Sequence, residues 1–156
     1  MSSTQSTNRS IAVSSALTAE ELAAIRRLAD AASQADAVVL GAGSGLSAAA
    51  GLSYSDPRFT RLFPDFIEQF GLTDMYSSGF YPFPTPEHRW AYWSRHIMAN
   101  RYNEPILPLY QDLRTILDSL GDTDYFVITT NVDHAFVRNG FDGSRLFATQ
   151  GDYGLW

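Results

Sequence analysis

Three short apolar runs constrain the fold of this chain more than any other feature of its sequence. They are the "AVVL" of residues 37–40, the "YFVI" of residues 125–128 and the "LFA" of residues 146–148. An uninterrupted apolar run is typical of a strand that is covered on both faces in a parallel sheet. Segments with helical patterns separate the runs, which predicts an α/β fold whose crossover connections are right-handed.

The clearest helical signals precede the first and second runs. Thr18 and Glu21 have the spacing of a capping box, and a helix is predicted to follow them. The apolar residues that recur on one face of this helix are Leu22, Ile25, Leu28 and Ala32. Thr85 is a predicted helix cap, and a further helix is predicted to begin near Pro108 and to end at Gly121.

The number of predicted strands indicates the first half of a doubly wound parallel sheet. A doubly wound, Rossmann-like parallel sheet has about six strands in two halves, and we find three, so we predict its first half. Residues 18–156 form this domain, and residues 1–17 are expected to be a flexible polar tail. We expect strands 37–43, 125–131 and 145–150 to be adjacent and parallel, with the first in the centre and the polar ends on one edge.

Charge and composition argue against several classes of function. The formal net charge of −6 disfavours nucleic acid or an anionic membrane surface as a partner, since both attract basic patches. The absence of cysteine excludes disulfides, thiolate zinc ligands and a cysteine nucleophile within this sequence, and no metal site is predicted in it. There is no apolar stretch of membrane-spanning length and no secretory signal pattern, so we expect a cytoplasmic protein.

Polar and glycine residues follow each predicted strand. The glycines after the first strand can adopt positive φ and bring backbone N–H groups close to a phosphate, although a tight strand-to-helix turn explains them equally well. Thr129, Asn131 and Asp133 lie on one side of the second strand by alternation, where open α/β sheets bind ligands. Asn131 or Asp133 could instead cap the next helix.

Taken in order, these blocks resemble the sirtuin family. Residues 41–43 match its G-A-G motif, and residues 129–133 match T-Q-N-I-D with Thr130 in place of glutamine. Residues 150–151, Gln-Gly, stand where most sirtuins have His-Gly. A rearranged P-D-F-R segment supplies Asp56, Arg58 and Phe59. These departures are similar to class M, the macrodomain-linked sirtuins, and the resemblance covers residues 35–156.

The resemblance implies a protein ADP-ribosyltransferase that uses NAD. Such an enzyme breaks the bond between nicotinamide and ribose and transfers ADP-ribose to a protein. Asn131 and Asp133 would hold the nicotinamide amide and its ribose, and so prepare the leaving group. Gln150 would orient a ribose hydroxyl or the incoming group. Because a glutamine amide cannot accept a proton as the sirtuin histidine does, the resemblance disfavours deacetylation.

The resemblance also implies a set of cofactor contacts. The loop after the first strand would line the pyrophosphate with Gly41, Ala42, Gly43, Ser44, Gly45 and Leu46. Arg58 and Phe59 would belong to a mobile segment that covers the cofactor, with Asp56 and Thr129 as further contacts. The expected partners are a protein acceptor, such as a lipoyl-carrier protein, and a macrodomain hydrolase.

In sirtuins the zinc module and the last strands follow the third motif. Any zinc site would therefore lie beyond Trp156, and the later strands would supply much of the adenosine pocket. The sequence is compatible with a fragment, a truncated product or a natural short form. Besides the transferase, a non-catalytic module that binds NAD or ADP-ribose and an inactive fragment remain alternatives.

Overall fold

The computed structural model describes residues 17–52, 54 and 57–155. The predicted tail, except for its last residue, and the predicted cofactor contact Asp56 lie outside the described residues. The chain divides into two compact units, Met1–Ala35 and Asp36–Trp156.

The first unit contains helix α1, Ala19–Ser33. The predicted capping box is confirmed, because the backbone N–H of Glu21 donates to Thr18 Oγ1 at 3.2 Å and the backbone N–H of Thr18 donates to Glu21 Oε2 at 2.8 Å. Two of the backbone donors at the start of the helix are thereby satisfied.

The second unit alternates strands and helices as predicted. Its strands are β1, Ala37–Ala42; β2, Asp124–Thr129; and β3, Leu146–Ala148. Its α-helices are α2, Ser44–Ala49; α3, Arg58–Leu62; α4, Pro64–Phe70; α5, Met75–Ser78; α6, Pro86–Ile97; α7, Pro108–Ser119; and α8, Ala135–Arg138. A π-helical turn, Met98–Tyr102, continues α6, and a 3-10 turn, Gly143–Arg145, precedes β3.

The three strands form one parallel sheet in the order β1-β2-β3. The prediction of adjacent parallel strands is confirmed, but the prediction that the first strand is central is wrong. In a complete doubly wound sheet, the first strand becomes central only when the second half pairs with its other edge. Here the strands follow chain order, so β2 takes the centre and pairs Thr129 with both Ala42 and Ala148.

One face of the sheet packs on a core that α7 and α8 complete. Val127 of β2 and Tyr110 of α7 are fully buried in it, and Phe136 of α8 is 2% exposed. A second core is aromatic and lies among α3, α4 and α6. It contains Phe59, Phe63, Phe66, Leu72, Met75 and Tyr92. The rings contact one another in stacked and edge-to-face pairs, such as Phe63 and Tyr92 with centroids 4.9 Å apart.

The other face of the sheet remains largely open to solvent. Val39, Phe126, Ile128 and Phe147 are between 39% and 63% exposed. The apolar runs predicted that both faces of the strands would be covered. In the described part of the chain only one face of the sheet is covered. None of the described helices combines the length and apolar character needed to cross a membrane.

Candidate functional site

The loops that follow the three strands meet at one edge of the sheet. The backbone N–H of Thr130 donates to Ala42 O at 3.1 Å, and that of Thr149 donates to Thr129 O at 2.8 Å. The loop after β3 also reaches back to the loop after β2, where the N–H of Tyr153 donates to Val132 O at 2.9 Å. The parallel sheet therefore brings the predicted polar ends of the strands together.

Asn131 and Asp133 are connected through Ser47 of α2. Asn131 Nδ2 donates to Ser47 Oγ at 3.0 Å and to Gly43 O at 3.2 Å, and Ser47 Oγ donates to Asp133 Oδ2 at 3.1 Å. Asp133, which is 6% exposed, also accepts from the backbone N–H of Ala135 at 2.9 Å. The carboxylate of Asp133 thus accepts from the first residue of α8, whose N-cap is His134, and also faces the first loop.

Thr129 supports this arrangement from the end of β2. Its side chain is buried, and Oγ1 accepts from the backbone N–H of Asn131 at 3.0 Å. The hydroxyl therefore fixes the turn that carries Asn131.

A cavity of about 660 Å³ opens at this edge. Four of the predicted site residues line it: Ser44, Asn131, Asp133 and Gln150. A second cavity of about 260 Å³ shares Ser44 and Asp133 with the first and is also lined by Gly45 and Arg58. The larger volume lies within the range of small-molecule sites in proteins.

Aromatic residues form another wall of the larger cavity. They are Tyr54, Tyr76, Phe80, Trp93, His96 and Tyr153. His96 is 2% exposed, and burial lowers its pKa from 6.5 to about 4, with a contribution from the nearby charge of Arg58. The imidazole is therefore neutral at neutral pH.

Sequence reasoning did not single out His96, Tyr54 or Tyr153 as site residues. Tyr92 and His96 are four residues apart on α6 and hence on one helix face, which was the only available signal. That face points inward because of tertiary packing, which residue spacing alone does not indicate.

Several predicted cofactor contacts do not line either cavity. They are Gly41, Ala42, Gly43, Leu46, Phe59 and Thr129. Gly41 and Ala42 belong to β1, and Gly43 is the N-cap of α2 with a φ of −146°. Close approach explains Gly43 better than a special φ, since an added Cβ would lie 3.0 Å from Thr130 Oγ1.

The Arg58–Phe59 segment is anchored in the structure. Arg58 Nη1 donates to Asn100 Oδ1 at 2.9 Å and Nη2 donates to Ala99 O at 2.9 Å, and the guanidinium also pairs with Glu104. Phe59 is 1% exposed within the aromatic core. Arg58 thus reaches the smaller cavity, whereas Phe59 contributes to packing.

Asp152 anchors the loop that carries Gln150. It pairs with Arg101 and His134 and accepts from the backbone N–H of Gly154 at 2.6 Å. Burial alone would raise the pKa of Asp152, but these hydrogen bonds outweigh burial and hold it below its ordinary value. His134 adopts a φ of +60°, a strained conformation for a residue with a side chain.

Among the described residues, no group of three His, Asp or Glu side chains could hold a metal ion.

Comparison with known proteins identifies two curated relatives. The chain is 38% identical over 120 residues to a "Protein ADP-ribosyltransferase" of Staphylococcus aureus strain Mu50, an alignment that covers 77% of this chain and 37% of the relative. It is 46% identical over 126 residues to a "Probable bifunctional ADP-ribose hydrolase/ADP-ribosyltransferase" of Fusarium oxysporum f. sp. cubense, covering 78% of this chain and 20% of the relative. No protein-family model matches. The chain thus spans little more than a third of one relative and a fifth of the other, and over these segments it is similar to proteins named for ADP-ribosyl transfer.

Proposed function

We propose that this chain forms the nicotinamide-ribose side of the NAD site in a class M sirtuin-type protein ADP-ribosyltransferase. The observation that carries the proposal is the convergence of Asn131, Asp133 and Gln150 on one cavity, with Ser47 joining the first two. The names of the two relatives, and their similarity over more than three quarters of this chain, support the same reaction.

The proposed reaction replaces nicotinamide on the anomeric carbon of ribose. The bond from that carbon to the pyridinium nitrogen breaks, its electron pair leaves with neutral nicotinamide, and a nucleophile of the acceptor protein forms the new bond. Positive charge develops on the sugar as nicotinamide leaves. A carboxylate such as Asp133 would stabilise that charge, because its burial leaves it weakly screened by water.

Hydrogen bonds that are already formed keep Asp133 and Asn131 in place. Asp133 accepts from Ser47 and from a backbone N–H, and Asn131 donates to Ser47 and to a carbonyl. Little reorganisation is then needed when the dinucleotide binds, which favours catalysis by positioning.

Gln150 supports transfer over deacetylation. Its amide does not titrate near neutral pH and therefore orients groups without accepting a proton. The cavity does contain a histidine, His96, but it lies on α6 and its low pKa makes it a weak base. A reaction in which the acceptor captures the sugar directly does not need the proton relay of a deacetylase.

We propose a protein acceptor of the lipoyl-carrier type, on the strength of the class M resemblance. An ADP-ribose hydrolase is the proposed functional partner, and one relative is named for both activities.

The test is to incubate the chain with NAD and measure nicotinamide release and ADP-ribosyl transfer to a lipoylated carrier protein. Gln150→Ala should slow transfer roughly ten- to a hundredfold, because it removes an orienting hydrogen bond worth about 1–3 kcal/mol. Asn131→Ala should be at least as damaging. Gln69→Ala is the matched control, since its amide is exposed and lies outside both cavities.

The alternatives predict different results. Binding of ADP-ribose in a calorimeter without nicotinamide release would indicate a non-catalytic binding module. Absence of both would refute the proposal. An unchanged transfer rate with a lowered melting temperature in Gln150→Ala would remove Gln150 from the reaction.

A further inference from the structure

A chain of hydrogen bonds runs from the aromatic wall of the larger cavity into the protein. Tyr92 Oη lies 2.7 Å from Met75 O and 3.4 Å from His96 Nδ1, and His96 Nε2 lies 3.0 Å from Tyr153 Oη. Tyr54, His96 and Tyr153 line the cavity, while Tyr92 is fully buried beneath them.

The carbonyl at the inner end fixes the direction of every bond in this chain. A carbonyl only accepts, so Tyr92 donates its single hydrogen to Met75 O, the shorter of its two contacts. Tyr92 Oη can then only accept from His96, which places the imidazole proton on Nδ1. His96 Nε2 is therefore the acceptor, and Tyr153 donates to it.

The direction determines what the cavity offers to a ligand. Because Tyr153 donates its single hydrogen to His96, the phenolic oxygen of Tyr153 offers only lone pairs to a bound molecule. Asp133, which lines the same cavity, also only accepts when it is ionised.

We propose that the phenolic oxygen of Tyr153, oriented by His96, forms a subsite that accepts a hydrogen bond from a sugar hydroxyl group. The inference rests on the proposed function, in which the ribose beside nicotinamide occupies this cavity. It makes Tyr153 a binding residue, and it makes His96 and Tyr92 positioning residues. A carbonyl or carboxylate of a ligand would meet lone pairs at this subsite and be disfavoured.

The setting of His96 supports this assignment. Its ring packs between aromatic neighbours, with centroids 5.1 Å from Trp93 and 5.2 Å from Tyr153, so it has little freedom to turn. A neutral ring with a defined tautomer is needed for the chain to keep its direction. Burial supplies the neutral form, since it lowers the pKa of His96 to about 4.

The first test is the tautomer of His96 in the 156-residue chain. The protein has three histidines, and 15N-histidine labelling with His96→Gln for assignment resolves the ring nitrogens in long-range proton–nitrogen spectra. The expected pattern at pH 7 is a proton on Nδ1 and a bare Nε2. A proton on Nε2, or a charged ring, would overturn the proposal because the chain would then run in the other direction.

The second test compares ADP-ribose with ADP, which lacks the terminal ribose, by calorimetry. The wild-type chain should bind ADP-ribose more tightly, and Tyr153→Phe should reduce that preference roughly 2- to 10-fold, as expected for one lost hydrogen bond. Binding of ADP itself should not change. Tyr102→Phe is the matched control, because Tyr102 is 52% exposed and lies outside both cavities.

The outcomes separate this inference from the proposed function. An equal affinity for ADP-ribose and ADP, or a preference for ADP-ribose that Tyr153→Phe retains, would refute the subsite. Failure to release nicotinamide from NAD, with the preference for ADP-ribose intact, would refute the transferase and leave the subsite standing.

Discussion

Acid should destabilise this protein through His96, and His96→Gln should abolish that effect. The pKa of His96 falls from 6.5 to about 4 on folding, chiefly because the ring loses its hydration. Since the folded pKa is the lower one, the unfolded chain binds more protons between these two values. The stability is therefore intact above pH 6.5 and is lost as the pH falls towards 4. At 1.36 kcal/mol per pKa unit, the loss amounts to about 3 kcal/mol.

Urea unfolding at intervals from pH 7.5 to 4 measures this loss. Between pH 7.5 and pH 4, the wild type should lose about 3 kcal/mol more of its free energy of unfolding than His96→Gln does. The reason is that a glutamine side chain does not titrate. The subtraction cancels the carboxylates, which both proteins share. Phe66→Leu is the control: it removes packing in the aromatic core without removing an imidazole, so it should keep the wild-type pH dependence.

A wild-type-minus-variant difference that stays flat from pH 7.5 to 4 would refute the reasoning. It would mean that His96 keeps an ordinary pKa in the folded protein and hence is hydrated. The hydrogen-bond chain of the aromatic wall would then lose its fixed direction.

Three further predictions concern the sheet edge and its faces. Ser47→Ala should weaken ADP-ribose binding in a calorimeter roughly tenfold, because its hydroxyl joins the side chains of Asn131 and Asp133, the proposed ligand contacts; unchanged binding would contradict that role. Gly43→Ala should lower the free energy of unfolding in urea by about 1 kcal/mol, since the added Cβ would crowd Thr130 Oγ1. The control is Gly45→Ala in α2, which should not lower it, because a Cβ added there has no atom within 4 Å. Phe147→Lys should reduce self-association in light scattering at unchanged stability, since that ring is 57% exposed on the open sheet face; equal association would show that this face is not the cause.

Local patterns were sufficient to predict the strands and part of the cavity wall. The convergence of Asn131, Asp133 and Gln150 follows from the alignment of parallel strand ends, which needs only the sequence near each strand. The predicted alternation does not extend to them, because β2 ends at Thr129 and β3 at Ala148. The structure accordingly places all three residues on the larger cavity.

Features that depend on distant parts of the chain could not be predicted in this way. His96 reaches the cavity because α6 packs between the aromatic core and the loop after β3. The four-residue spacing of Tyr92 and His96 places them on one helix face but does not indicate what that face contacts. The central position of β2 depends on which edge β3 joins, which short apolar runs do not specify. The glycine motif predicted either a phosphate contact or a tight strand-to-helix turn, and it did not indicate that the side chain of Thr130 lies beside Gly43.

The connection between β1 and β2 has a consequence for how the protein folds. Ser47 meets Asn131 and Asp133 across separations of 84 and 86 residues, so a long loop must close before these contacts form. The aromatic rings of α3, α4 and α6 lie closer together in the chain, and contacts between near neighbours form sooner. We therefore expect the aromatic core to assemble early and the binding cavity to assemble late, with the rate of β1–β2 pairing setting the time at which a newly made chain can bind its ligand.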